Sequence, residues 1–414
     1  MTGQGPAAGT AAEGVRPKVA HIGTVDLSLR FQLFDQLRHL RQAGYDVVAV
    51  SSPGPEVPRF EAAGIRHIPV HISRHPFSPL ADLRSVLALW RVMRRERFTI
   101  VHTHNPKPGF LGQIAARLAG VPIVTNTVHG FYFHEHQPGP VRKFYMILER
   151  IAGRFSDVVF IQSAEDVKTA LKKGIAAPGK IRHLGNGIDI RRFSRAAIAR
   201  ADPVAKRREI GLPPAGPVVG FVGRLVKEKG VLDLLAAARL VRARIPAVRF
   251  VFVGPVDKPK RDAVRPDVAA AYGVADICHF TGKRDDLPEL LSLMDVLVLP
   301  SYREGLPRVV LEASAMEVPS IVTNIRGCRE AVQHGRNGIV VSLGNTTALA
   351  EAIVDLLADP ARARRMGEEG RRMAVAQFDE QTVFAAVRNE YARLLRERGL
   401  GAPAPPARAA EAPS

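Results

Sequence analysis

The chain has 414 residues, 46% of them hydrophobic and 24% charged, which is ample for two buried cores and too long for one ordinary domain. Its net charge is +19, and residues 15–195 alone hold 27 Lys/Arg against 13 Asp/Glu, so the excess sits mostly in the first half and points to an anionic partner. No apolar run reaches the roughly 18–20 residues of a membrane span, and the two cysteines, Cys278 and Cys328, lack metal or redox spacing and suit a reducing cytoplasm.

Residues 1–14 lack the basic-then-apolar order of a signal peptide and read as a disordered leader. From there a strand-then-helix rhythm begins. Strands are expected over 18–23 (KVAHIG), 46–51 (DVVAVS), 66–70, 100–103, 121–127 and 157–162 (DVVFIQ). Helices are expected between them over 29–43, 80–97, 109–119 and 142–154, with a helix-like PRFEAAG stretch before 66. A second series follows the Ala/Arg-rich stretch 191–209, with strands over 218–222 (VVGFV), 249–253 (RFVFV), 277–281, 296–300 and 320–323, and a helix over 231–244. Strands alternating with helices mean parallel βαβ units in doubly wound sheets. The expected division is an N-terminal Rossmann-like domain over 15–195 and a C-terminal one over 196–380. A helix over 381–399 is expected to pack back on the first domain, and 400–414 (GAPAPPARAAEAPS) reads as a disordered tail. Ligands of such sheets bind at the carboxyl ends of the strands, so two facing sheets would place a site in the cleft between them.

The strongest local signal is the apolar strand VLVLP followed by the loop SYREGLP and the helix start RVVLEASAM. Glu304 falls at the strand's carboxyl end and Glu312, by rise per residue, about two turns into the helix. A helix N-terminus offers free N–H groups and a positive dipole end suited to a diphosphate, and a carboxylate beside it suits sugar or ribose hydroxyls. A lone pair of glutamates is more often a cap and a surface charge; its context decides otherwise. That context is GFVGRLVKEKG at 220–230, where a buried strand runs into Arg224 and a short loop delivers Lys229. A forked guanidinium and a mobile ammonium make a clamp for a diphosphate leaving group. The chain has no GxxxxGK[ST] and no GxGxxG after its first strand, which argues against nucleoside-triphosphatase and dinucleotide-binding readings.

GRLVKEKG followed by SYREGLPRVVLEASA resembles the donor site of the retaining family 4 glycosyltransferases (glycosyl transferases group 1), with the Glu-x7-Glu spacing matched by Glu304 and Glu312. VHTHNPKPGFLGQIAARLAGVPIVTNTVHGFYFHE, NIRGCRE and NGIV are similar to members that build bacterial surface polysaccharides and lipid-linked oligosaccharides. The resemblance covers about residues 18–395 and implies the α/β GT-B fold, two Rossmann-like doubly wound parallel-sheet domains facing a cleft. It implies that Arg224 and Lys229 bind the donor diphosphate, Glu304 the donor sugar and Glu312 the ribose. Gly223, Gly254 and the backbone of Gly305, Leu306 and Pro307 would help hold the donor, and His129 would face the reacting sugar. It implies a UDP- or GDP-sugar as donor substrate, no cofactor, no metal, retention, and a lipid-linked or polysaccharide-precursor acceptor.

Gly23 ends the first strand, where a loop would approach a phosphate closely, but no second glycine adjoins it. His102, His104 and His134 are read as core or cleft hydrogen-bonding residues; with His129 and His136 nearby a zinc site is the alternative, but a complete ligand set of structural spacing is missing. Two basic, apolar-faced helices, 80–97 and 141–155, suggest contact with the inner face of the cell membrane, against the alternative of helices covering a sheet. A phosphorylase or epimerase on the same scaffold is the enzymatic alternative. A nucleic-acid binder is the other, and 6% aromatic content leaves few stacking platforms for it.

Overall fold

The computed structural model describes residues 16–75, 78–104, 106–134, 137–257 and 262–403; the expected leader, most of the expected tail and His136 lie outside them. Two parallel sheets organise the chain. The first contains β1 (Lys18–Val25), β2 (Asp46–Ser52), β3 (Arg66–Pro69), β4 (Ile100–His104), β5 (Ile123–Val128), β6 (Val158–Ile161) and β7 (Ile181–His183), in the order β3-β2-β1-β4-β5-β6-β7. The second contains β8 (Val218–Val222), β9 (Arg249–Val253), β10 (Cys278–Gly282), β11 (Val296–Leu299), β12 (Ser320–Thr323) and β13 (Gly338–Val341), in the order β10-β9-β8-β11-β12-β13. Strands such as VVGFV and VLVL are apolar along their whole length because helices cover both faces of each sheet.

Both sheets are doubly wound. The chain builds outward from β1 to β3, then returns to place β4 on the other side of β1. It does the same from β8 to β10 before placing β11 beside β8. Each sheet therefore has a switch point, between β1 and β4 and between β8 and β11, where diverging connections leave an open crevice at the strands' carboxyl ends. Short β7 and β13 were not expected; three or four residues in polar surroundings give too little periodicity.

By compactness the chain divides into one unit of residues Met1–Thr127, Ile147–Val159 and Ala386–Ser414, and a second of Val128–Met146 and Phe160–Ala385. In the first, Ala20, Ile22, Val48, Val50, Val101, Leu111 and Val124 form the core. The second core gathers strand residues such as Val219, Phe221, Phe250 and Leu297 with Leu234, Leu235 and Val310 from helices. Among the described residues no helix is long and apolar enough to cross a membrane.

The first unit also buries a polar cluster. His21 and His102 are register partners on β1 and β4, and His104 lies two residues further along the same face. His21 Nδ1 meets His104 Nε2 at 2.9 Å, and His102 meets the Tyr391 hydroxyl at 2.6 Å and the Thr127 hydroxyl at 2.7 Å. The His102 nitrogens thus face hydroxyls of the protein, as a hydrogen-bonding role requires. Burial pushes His21 down to about 3, so the fold holds it neutral while the unfolded chain takes up a proton below about 6.5. Its contribution to stability is complete above pH 6.5 and declines as the pH falls toward 3. The expected result is a denaturation midpoint that drops between pH 7 and pH 5, and drops less in His21→Asn; equal slopes would assign the acid sensitivity elsewhere.

Candidate functional site

The two motif loops leave adjacent strands at the switch point of the second sheet. After β8, Gly223 and Arg224 lead into a 3₁₀ turn, Lys227–Lys229, and then Gly230 begins the helix Val231–Arg244. Gly230 has φ +72°, and a Cβ there would overlap the carbonyl oxygen of Pro300 at the end of β11. Only glycine allows this close approach, and it draws Lys229 against the β11 loop. After β11, residues 300–307 form the second loop and the helix Arg308–Ala315 follows, with Pro307 as its N-cap. Glu312 is therefore one turn into the helix, not two: the helix starts at Arg308, where the sequence placed it, and the step from Arg308 to Glu312 makes little more than one turn.

The outcome is a direct ion pair, Lys229 Nζ to Glu304 Oε1 at 2.5 Å, with the two side chains only 20% and 9% exposed. Glu228 fixes both loops from the other side: its carbonyl accepts from Tyr302 N–H at 2.9 Å and its carboxylate from Arg303 Nε at 2.7 Å. Arg303 also lies over the Tyr132 ring at 4.0 Å. Arg224 donates to Asp257 at 2.6 Å and stays 40% exposed, so its fork keeps N–H groups for a ligand. Asp257, missed in the sequence, follows β9 by four residues and carried no motif to mark it. Gly254 lies between, and a Cβ on it would overlap the carbonyl oxygen of Gly223, so these two glycines pack the β8 and β9 loops together.

Glu312 is buried, and burial pushes its carboxyl above the usual range against the pull of Arg308, whose Nε lies at 3.1 Å. Arg308 also reaches Glu380 at 3.3 Å, which anchors the guanidinium. Leu306 presents its carbonyl to Asn186 Nδ2 at 2.8 Å, tying the loop in place.

His129 and Gly130 pack on the same loop. A Cβ on Gly305 would overlap the His129 carbonyl oxygen, and one on Gly130 would come within 2.7 Å of Gly305 Cα. The His129 imidazole is pushed down to about 4 by burial, against a hydrogen bond with Gln162, so it is neutral near pH 7. Gly23 belongs to the first unit; its Cβ position is filled by Leu29 Cδ2 at 2.7 Å, a packing reason for glycine.

Next to Glu304 opens a half-open pocket whose walls include His134, Tyr302, Arg303, Asn324, Arg326 and Arg329. Arg326 and Arg329 come from NIRGCRE, which the sequence marked as a motif without giving it a role. Grouped cations and one carboxylate at a strand-end crevice can bind an anion while orienting a hydroxyl-rich group.

Two family models match the chain: the glycosyl transferase 4-like domain over residues 32–187 and glycosyl transferases group 1 over residues 204–373. The chain is 34% identical over 284 residues, 68% of its length and 72% of the relative's, to the UDP-Gal:alpha-D-GlcNAc-diphosphoundecaprenol alpha-1,3-galactosyltransferase of Escherichia coli. It is 35% identical over 350 residues, 78% of its length and 82% of the relative's, to a GDP-mannose-dependent alpha-(1-6)-phosphatidylinositol monomannoside mannosyltransferase of Mycobacterium tuberculosis. In structure it is similar to Anabaena Alr3699/HepE, solved with UDP and glucose, at a TM-score of 0.78 and 20% identity, covering 91% of this chain and 100% of that one. That likeness bears on the fold alone.

Proposed function

Because the chain belongs to the group 1 glycosyl transferases (glycosyltransferase family 4) and has the GT-B fold, we propose that it moves a hexose or N-acetylhexosamine from a UDP- or GDP-sugar to a lipid-linked or polysaccharide-precursor acceptor, with retention and without a metal. The observation that carries the reading is the Lys229–Glu304 pair at the β8/β11 switch point, with Arg224 on the same loop as Lys229. The two relatives, one named for UDP-galactose and a diphosphoundecaprenol-linked acceptor and the other for GDP-mannose and a phosphatidylinositol glycolipid, support both halves of it.

In this reading Arg224 and Lys229 take the donor diphosphate, and Glu304, released from Lys229, accepts hydrogen bonds from the sugar hydroxyls. Glu312, steadied by Arg308, accepts from the ribose. Neutral His129 and the backbone around Gly305–Pro307 border the sugar. The bond from the anomeric carbon to the phosphate oxygen breaks, and the acceptor oxygen bonds that carbon on the same face. The acceptor proton passes to the departing phosphate, so the products are the glycosylated acceptor and a nucleoside diphosphate. The cations stabilise the negative charge that grows on the leaving group. A thermal-shift panel of nucleotide sugars tests the donor: one base should raise the melting temperature, while a flat panel would contradict the site. Product NMR should show an anomeric configuration matching the donor's.

In this reading the transfer takes place at the cytoplasmic face of the cell membrane, in polysaccharide biosynthesis. On the helix Pro79–Glu96, Leu80, Leu83, Leu87 and Trp90 form an exposed row, with Leu80 75% and Leu83 58% accessible, and Arg84, Arg91 and Arg94 share that side. Apolar residues flanked by arginines suit an anionic leaflet, at about 1 kcal/mol per well-placed charge. The expected result is cosedimentation with phosphatidylglycerol vesicles that falls about tenfold or more in the double variant Leu83→Glu, Leu87→Glu and weakens with salt. Unchanged binding would remove this helix from the account.

A further inference from the structure

We infer that Asp166 is a positioning residue of the transfer site: its carboxylate holds the Arg326 guanidinium in the pocket beside Glu304, and substrate recognition there depends on that hold. The inference rests on the glycosyltransferase reading of the site and adds to it a residue far from every donor motif.

Arg326 is gripped on both prongs of its fork. Nη1 donates to Asp166 Oδ1 at 2.7 Å and Nη2 to the Phe133 carbonyl oxygen at 2.6 Å. The Asp166 side chain is 2% exposed and that of Arg326 14%, so the pair is shielded from solvent, yet Arg326 still forms part of the pocket wall. A guanidinium fixed at two N–H groups has its remaining donors aimed in one direction, which is how a forked cation distinguishes one oxygen arrangement from another. Without the carboxylate, only neutral acceptors, the Phe133 carbonyl and the Thr169 hydroxyl at 3.4 Å from Nη1, would restrain a long side chain.

The same neighbourhood has a separate fastening that does not use Asp166. Glu330 accepts from the Ser163 hydroxyl, from Ala164 N–H at 2.8 Å and from Glu165 N–H at 2.9 Å, so it caps the helix Ala164–Lys173 on which Asp166 sits. Arg329 adds Nη2 to Glu165 Oε2 at 2.6 Å and Nε to Oε1 at 3.1 Å. These contacts keep residues 326–330 against that helix whatever the charge of Asp166. What Asp166 alone supplies is the aim of Arg326.

The hold is titratable. Burial pushes the Asp166 carboxyl up to about 6, against the pull of Arg326 and the Phe131 N–H, while Glu330 and Glu165 push it the same way as burial. Arg329 is engaged by Glu165, and His134 shares the pocket. With its acidity raised above the ordinary carboxylate value, Asp166 is charged above about pH 6 and neutral below. Recognition through Arg326 is then present above that pH and lost as the pH falls through it.

The experiment is transfer kinetics from pH 5 to pH 8 for the wild type, Asp166→Asn, Arg326→Ala and their double variant, with Asp166→Glu as the conservative substitution. The expected wild-type kcat/KM rises through about pH 6. Asp166→Asn should lose about tenfold or more at pH 7.5, chiefly in KM, and its profile should flatten there. Arg326→Ala should flatten the same limb, the double variant should be no worse than Arg326→Ala, and Asp166→Glu should recover part of the loss. Should Asp166→Asn fail to fold, Arg326→Ala must still abolish the limb. A limb that persists in Arg326→Ala or Asp166→Asn, or losses that multiply in the double variant, overturns the inference. A wild type that turns over no nucleotide sugar at any pH overturns the function as well, so the two failures are told apart.

Discussion

Replacing Glu304 by Gln should lower kcat by about a thousandfold while the protein melts as before. The amide keeps the shape of the side chain but loses the charge that pairs with Lys229 and would accept two sugar hydroxyls at once. Lys229→Ala should act differently. It leaves the Glu304 carboxylate, whose side chain is 9% exposed, without its ion-pair partner, at a penalty of about 3 kcal/mol in stability, and it removes a diphosphate ligand. Donor KM should therefore rise as kcat falls, and the melting temperature should drop. Steady-state kinetics with calorimetric melting separates the two. Equal effects of both variants on stability, or full activity in Glu304→Gln, would contradict the assigned roles.

Gly327→Ala should lower activity by about a hundredfold and destabilise by about 2 kcal/mol or more, although residue 327 bears no side chain to contact a substrate. Gly327 has φ +77°, and a Cβ on it would overlap the carbonyl oxygen of Gly305. Relief requires the Gly305–Leu306 peptide to shift, while the Gly305 Cα is already packed against the His129 carbonyl. Gly335 provides the control. It has the same φ of +77° with nothing within 4 Å of a Cβ, so Gly335→Ala should show only the backbone penalty of about 1 kcal/mol and keep its kinetics. Equal kinetic losses in both variants would point to general destabilisation in place of a displaced loop.

The sequence made the alternation of strands and helices legible because buried parallel strands are unbroken apolar runs such as VVGFV and VLVL, and turn glycines punctuate them. It also marked Arg224, Lys229, Glu304 and Glu312 through their motifs. It could not show that Lys229 and Glu304, 75 residues apart, touch; that follows from β11 lying beside β8, a neighbour choice that no local pattern encodes. Nor could it show why Gly230, Gly305 and Gly327 are glycines, since each reason is another segment's backbone. Arg326 lay in a noted motif, but its partner Asp166 is 160 residues away in an ordinary helix start, SAED. The helix Arg308–Ala315 begins where the sequence placed it, after Pro307 at φ −70°, and Glu312 lies nearer its N-terminus than the two turns expected.

Isothermal titration of UDP and of GDP into the wild type, Arg224→Ala and Lys229→Ala bears most directly on the central claim that the β8/β11 crevice holds a nucleoside diphosphate. One of the two nucleotides should bind the wild type, and each substitution should weaken that binding by about tenfold or more, as the loss of one charged contact to phosphate implies. Affinities that both variants leave unchanged would place the nucleotide elsewhere and remove the donor site from this crevice.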